Sequence, residues 1–192
     1  SLKKIKDTVH LVINKNCYNL KNLKLNTDIE LENLECAITC CLALNISVIK
    51  IIKVLSKVNN PPGRFEIIEY KKKNSKIIID YAHTPDALKK ILNAYKIKRK
   101  KPAILFGCGG DRDKSKRKSM ALIANKYAGK IYITDDNPRN ENPSKIRKNI
   151  IKYCPRAIEV SDRRKAIKVA IKELKMNEIL IVAGKGHEKF QV

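Results

Sequence analysis

Four polar segments carry the side chains best suited to chemistry: "DYAHTPD" (80–86), "GCGGDRDKS" (107–115), "DDNPR" (135–139) and "GKGHE" (184–188). In "DDNPR", Pro138 restricts Asn137, so the loop is pre-set. Arg139 can grip a carboxylate through two parallel hydrogen bonds, and Asp136 can hold Arg139 or an amine. Glu188 could bind an ammonium. The three together make both halves of a clamp for a zwitterion, and the ligand they suggest is an amino acid.

The other groups leave alternatives open. Asp80, at a strand end, can accept hydrogen bonds from ribose hydroxyls. His83 stands beside a helix start and reads equally as a structural hydrogen-bonding group. Gly184 and Gly186 allow close backbone approach to a ligand, or form an ordinary turn. The glycines at 107, 109 and 110 invite a phosphate-loop reading, which fails: with Lys114 and Ser115 in place, glycines are needed at 108 and 113, where Cys108 and Asp113 stand. No dinucleotide fingerprint fits either. The segment is then a solvated loop, or an anion-binding loop with Arg112 as the fork.

The elements that must position these groups alternate along the chain. After short apolar runs such as "TVHLVI", helical spacing begins at Leu31. A second helix follows with Ser47 as N-cap and Ile51, Ile52 and Leu55 on one face. "NNPPGRF" then breaks the pattern, and the domain boundary is placed at 61/62. Beyond it, "FEIIEY" and "KIIIDYA" read as a hairpin. Helix 84–96 follows, with Thr84 as N-cap and Pro85 in its first turn. Strands "PAILFG", "KIYIT", "AIEV" and "EILIVAG" alternate with three further helices, the last capped by Asp162. The fold class is α/β: a Rossmann-like, mostly parallel sheet with helices on both faces. The four polar segments fall at the carboxyl ends of its strands, where such folds bind ligands.

Composition narrows the function classes. Of 192 residues, 43% are hydrophobic, enough for a core, and no apolar run is long enough to span a bilayer. The formal charge of +23 is spread through nearly every segment. Without a clustered basic face it reads as a Lys/Ile/Asn-rich compositional bias rather than a nucleic-acid surface, although it suits anionic ligands. The six cysteines form no Cys-x-x-Cys pair and read as reduced residues. The chain starts at Ser1 inside a running pattern, and reads as a piece of a longer protein.

"GRFE", "DYAHTPDAL", "GCGGDRDKSKR", "TDDNPRNENP" and "AGKGHEKFQ", in this order, resemble the Mur ligase family. The resemblance is dense from Pro62 to Gln191 and weak before. It implies that residues 1–61 are the tail of the central ATP-binding domain and 62–192 the C-terminal domain. It further implies ATP-dependent amide formation, through an acyl phosphate, that adds meso-2,6-diaminopimelate to a UDP-MurNAc-dipeptide in peptidoglycan synthesis. By the same resemblance, Arg139 binds the distal carboxylate of diaminopimelate with Asn137 and Asp136 beside it. Arg112 contacts the same ligand, and Gly184 and Glu188 hold its distal amino-acid end. Lysine-adding members lack the arginine.

Arg64 would reach the ATP phosphates, Asp80 the ribose, and His83 the nucleotide site. Asn33 matches one of two adenine-contacting asparagines; the other position holds Glu30, a departure from the pattern. The phosphate loop, the Mg²⁺ ligands and a carbamylated lysine belong to upstream residues the chain lacks. No catalytic residue or metal ligand is therefore assigned, and the chain alone is expected to be inactive. A cytoplasmic, monomeric protein with no nucleic-acid or membrane partner is expected. The competing readings are a lysine-adding ligase, a non-catalytic binding module or decayed fragment, and a basic nucleic-acid-binding protein.

Overall fold

The structure, a computed structural model, describes residues 1–5, 8–13, 15–20, 23, 25, 27–55, 57–96, 100–188 and 190. Lys189 and Gln191 of the "AGKGHEKFQ" motif lie outside the described residues. Two compact units form, Ser1–Asn59 and Asn60–Val192.

In the first unit, strands β1 (Leu2–Ile5), β2 (Thr8–Ile13) and β3 (Asn16–Leu20) pair antiparallel. Val9 and Leu11 alternate inward from β2 and meet Ile38 of helix α1 (Asp28–Ala43) and Ile51 and Leu55 of α2 (Val48–Leu55) in one core. The Ser47 hydroxyl accepts from the Lys50 amide at 3.4 Å, as its cap position requires.

Helix α1 starts earlier than the apolar spacing predicts. Thr27 is its N-cap: its hydroxyl accepts from the Glu30 amide at 3.2 Å and donates to the Glu30 carboxylate at 3.1 Å. This is a close relative of the capping box, Thr-x-x-Glu, which satisfies donors the first turn leaves over. Glu30 is consequently buried, at 3% exposure.

The second unit is a six-stranded sheet in the order β4-β5-β9-β6-β7-β8. Strands β4 (Glu66–Tyr70) and β5 (Ser75–Asp80) form the expected antiparallel hairpin, turned by a 3₁₀ segment ending at left-handed Asn74. The others are parallel: β6 (Ala103–Phe106), β7 (Ile131–Ile133), β8 (Ile158–Glu159) and β9 (Ile179–Ala183). β9 is buried throughout, as a central parallel strand covered on both faces must be.

Helices α3 (Pro85–Ala94), α4 (Ser115–Tyr127) and α5 (Pro143–Ile151) pack side by side, while α6 (Arg163–Glu173) covers the face built by Ile77, Leu105, Tyr132, Leu180 and Val182. Their starts follow the chemistry in the sequence. Thr84 and Asp162 accept from Ala87 and Lys165 amides at 3.3 and 2.6 Å, and Pro85 and Pro143 occupy first turns.

β9 inserts between β5 and β6, which brings Asp80 opposite Ala183, and the β6–β7 pairing sets Phe106 opposite Ile133. All four polar segments therefore leave one edge of one sheet. Among the described residues, no helix is long and apolar enough to cross a membrane.

The Thr27 cap is testable. Thr27→Ala should destabilise the chain by about 1 kcal/mol in denaturant unfolding, with faster amide exchange at Glu30. Unchanged exchange there would contradict the cap.

Candidate functional site

The loop after β7 separates its two carboxylates. Asp135 pairs with Arg147 of α5, which also donates through Nε to Glu159 at 2.6 Å. Its amide donates to Ser161 O at 3.0 Å, so Asp135 fastens the loop to the sheet. Asp136 stands on the other side, accepting from the Asn137 amide at 2.6 Å. A Cβ placed on Gly184 would lie 3.2 Å from Asp136 Oδ2, and the Gly184 φ of +105° disfavours any other residue there. Arg139 adopts a left-handed backbone, at φ 50°. Its Nη1 donates to Gly110 O at 2.8 Å and Asn137 O at 3.4 Å, and the residue is exposed.

The loop after β6 lies directly on this one. Gly110 N donates to Asn137 O at 2.9 Å, and a Cβ at Gly110 would overlap the Pro138 carbonyl oxygen. The glycine that invited a phosphate reading is thus needed for loop-on-loop contact. One ion pair with a buried arginine fixes the contact. Arg117, 3% exposed on α4, grips Glu141 with two bonds of 3.0 and 2.8 Å and donates to Gly109 O at 3.3 Å.

The Asp111 amide donates to the same carboxylate at 2.8 Å, while Asp111 accepts from Asn140 N and Nδ2 at 3.1 and 2.9 Å. The Arg117 hydrogen bonds, then the Asp111 amide, hold the Glu141 carboxyl down to about 2. Asp113 is spent on the start of α4, accepting from Ser115 N and Oγ at 2.9 and 2.6 Å. Arg112 is exposed.

The segment after β9 contributes one buried cation, Lys185, and the start of α6 contributes a second, Arg163. Lys185 donates to Asn137 Oδ1, Glu188 Oε2 and Phe190 O at 2.8, 2.9 and 2.8 Å. Its bond to Glu188 is the main cause lowering that carboxyl. Glu188 also accepts from the Tyr81 hydroxyl at 3.3 Å and from Asn137 Nδ2 at 3.4 Å. Arg163, at the start of α6, donates through Nη2 to Ala183 O at 2.7 Å, and its buried Nη1 has no hydrogen-bond partner among the described residues. Burial lowers its pKa against the pull of Asp136 and Glu188.

On the β5 side, Asp80 is turned inward. Its two oxygens accept from Phe65 N at 3.0 Å and Ala82 N at 2.8 Å, and burial raises its pKa despite those bonds. The carboxylate thereby holds the loop that carries Arg64, whose guanidinium lies 4.3 Å above the Tyr81 ring. His83 is exposed, with Nδ1 2.9 Å from Tyr81 O and its ring edge-on to Tyr81. His187 stacks against the same ring. Asn33 is exposed on α1, in the other unit.

Burial pushes the Cys108 thiol up to about 12 and Cys154 up to about 11, so neither supplies a thiolate. Among the described residues, no group of three His, Cys, Asp or Glu could hold a metal ion.

The edge therefore brings Arg112, Asp136, Asn137, Arg139, Gly184 and Glu188 together, with Arg64 and His83 beside them. Sequence reasoning missed Lys185, Arg117, Glu141, Arg163 and Tyr81. A buried cation close to an acidic group far along the chain leaves no local pattern to read.

Residues 63–186 match the family of the Mur ligase glutamate ligase domain, and the chain belongs to that family. Two relatives, from Anaplasma marginale and Rickettsia typhi, are both named UDP-N-acetylmuramoyl-L-alanyl-D-glutamate–2,6-diaminopimelate ligase. The first is 47% identical over 140 residues, covering 71% of this chain and 29% of the relative. The second is 41% identical over 191 residues, covering 96% and 37%.

A solved structure of a ligase of that name superposes with a TM-score of 0.63 at 32% identity, over 96% of this chain and 38% of that one. A pseudomurein peptide ligase type C from Methanothermus fervidus shares the fold, with a TM-score of 0.70 at 23% identity over 93% of this chain and 37% of that one. The chain spans 29% and 37% of the length of the two curated relatives.

The depressed Glu141 carboxyl has a consequence in acid. A lowered folded-state pKa contributes stability that is present above the ordinary carboxylate range near pH 4.5 and is lost as pH falls towards about 2. A carbon-detected titration should place the Glu141 midpoint near 2, moving back towards 4.5 in Arg117→Met. A midpoint near 4.5 in the unaltered chain would contradict the lock.

Proposed function

We propose that this chain supplies the amino-acid-binding part of an ATP-dependent ligase that adds meso-2,6-diaminopimelate to UDP-N-acetylmuramoyl-L-alanyl-D-glutamate in peptidoglycan synthesis. The supporting observation is the Arg139 guanidinium, exposed at the sheet edge and held by one nitrogen on Gly110 O. A side chain held that way is ready to take a distal carboxylate with its remaining donors. L-Lysine, with no carboxylate at that end, has nothing to give it. In this reading Arg112 meets the same ligand, and Asn137, Asp136, Gly184 and Glu188 line its amino-acid end.

The nucleotide would be met by Arg64 and His83 from the β5 side. Arg64 fits a phosphate contact, being exposed and braced on Tyr81. Asp80 acts in this reading by fixing the Arg64 loop, since both its oxygens are taken by main-chain amides. Ser1–Asn59, with Asn33, is assigned to the tail of the ATP-binding domain. ATP carries the phosphoryl group that activates the substrate carboxylate, and Mg²⁺ offsets its charge. The described residues offer no metal cluster, so the Mg²⁺ ligands would come from elsewhere in the whole enzyme. A nucleotide-linked substrate sets the work in the cytoplasm.

Calorimetric titration tests the reading. The chain should bind meso-diaminopimelate and not L-lysine, and Arg139→Ala should weaken binding at least about tenfold, as loss of a charge-assisted pair does. Equal binding of lysine, or an Arg139→Ala variant that binds as before, would overturn it.

A further inference from the structure

We infer that Tyr81 is a positioning residue for phosphate binding: its ring is the fixed platform that sets how the Arg64 guanidinium presents its N–H donors to the anion. The inference rests on the phosphate contact proposed above for Arg64, and adds the residue that prepares that side chain for it.

The main chain around Arg64 is fastened on both sides. Gly63, at φ +69°, packs on the turn after β9, where an added Cβ would lie 2.1 Å from His187 N and 2.2 Å from the Gly186 carbonyl carbon. Phe65 N donates to Asp80 Oδ2 at 3.0 Å, and the Arg64 amide donates to Pro61 O at 3.1 Å. Only the side chain is left to be placed. It is exposed, and among the described residues its N–H groups have no hydrogen-bond partner. What holds it is the Tyr81 ring, 4.3 Å from the guanidinium carbon.

That ring cannot swing away. Gly186 lies against it, so that a Cβ there would come within 3.0 and 3.1 Å of Tyr81 Cβ and Cδ2. The hydroxyl at the far end donates to Glu188 Oε1 at 3.3 Å. The His83 ring stands edge-on at 4.7 Å and the His187 ring is stacked at 5.9 Å.

A cation–π contact uses the charge of a guanidinium and none of its hydrogen-bond donors. All five donors therefore remain for a phosphate, which an arginine takes with two parallel bonds. An unsupported arginine loses the rotamer freedom of a long side chain on binding, whereas Arg64 has given up much of it beforehand.

NMR titration with inorganic triphosphate, read at the Arg64 side chain, tests the inference. The readout is local, and an ionic strength of about 0.15 M screens the +23 formal charge of the rest. In the free chain the Arg64 side-chain protons should be shifted upfield by the Tyr81 ring. Triphosphate should move the Nε–H signal and leave the upfield shift of the δ protons in place. Tyr81→Phe keeps the platform, and the Kd read at Arg64 should change by less than about twofold. Tyr81→Leu should abolish the upfield shift and weaken that Kd about three- to tenfold. Amide exchange at Phe65 should stay as it was, because the Asp80 bond is untouched. Thermal melts check folding, and Tyr81→Met replaces Tyr81→Leu if that variant does not fold.

Three results would each overturn the inference alone: an upfield shift that vanishes on adding triphosphate, an unchanged Kd in folded Tyr81→Leu, or weaker binding there accompanied by faster exchange at Phe65. Arg64 signals that ignore triphosphate in the unaltered chain would overturn the phosphate contact and the inference with it.

Discussion

The buried Arg117 guanidinium constrains the whole carboxyl edge of the sheet. A charge at 3% exposure must be paired and hydrogen-bonded or it destabilises the fold. Arg117 answers that demand through its two terminal nitrogens, with Glu141 from the loop after the neighbouring strand and with the Gly109 carbonyl, while its buried Nε has no partner among the described residues. The two loops are therefore not independent. Where Glu141 goes, Asp111 follows through its amide, and Asn140 and Arg139 follow through Asp111 and Gly110. The exposed guanidinium of Arg139 is held at the end of this chain of contacts. Removing Glu141 leaves the Arg117 guanidinium as a buried charge without its ion-pair partner, which costs several times a surface ion pair.

The same economy governs the other polar runs. Of two adjacent carboxylates, Asp135 ties the loop to α5 through Arg147, and only Asp136 faces the site. Asp80 looks like a ligand group in the sequence, yet it serves the Phe65 and Ala82 amides. Lys185 gathers Asn137, Glu188 and the Phe190 carbonyl around one ammonium. Tyr81 links the two halves of the edge, with Arg64 over its ring and its hydroxyl on Glu188. Each of these groups is pre-organised by contacts that exist before a ligand enters.

Much of the fold was legible because its signals are local. Apolar runs alternating with capped helices define the parallel sheet, and Thr84 with Pro85 marks the start of α3 and Asp162 the start of α6, each within a residue. The start of α1 was missed because Thr27 and Glu30 are polar and carry no apolar period, although Thr-x-x-Glu was there to read. The reading set the break at 61/62, and the compact units divide between Asn59 and Asn60. At the site, the visible residues were those in compact motifs: Asp136, Asn137, Arg139, Gly184 and Glu188. The residues that hold them were hidden. Arg117 and Glu141 are 24 positions apart, and Lys185 and Asn137 are 48 apart. The strand order makes them neighbours: β6 pairs with β7, which sets Arg117 beside Glu141, and β9 lies on the other side of β6, which brings Lys185 to Asn137.

The most direct measurement is an experimental structure of the chain with meso-diaminopimelate bound. The expected result is a carboxylate of the ligand within hydrogen-bonding distance of the Arg139 guanidinium, with the Gly110 and Asn137 contacts of that side chain kept. A ligand seated away from the loop after β7, or one that turns an ammonium towards Arg139, would contradict the carboxylate clamp.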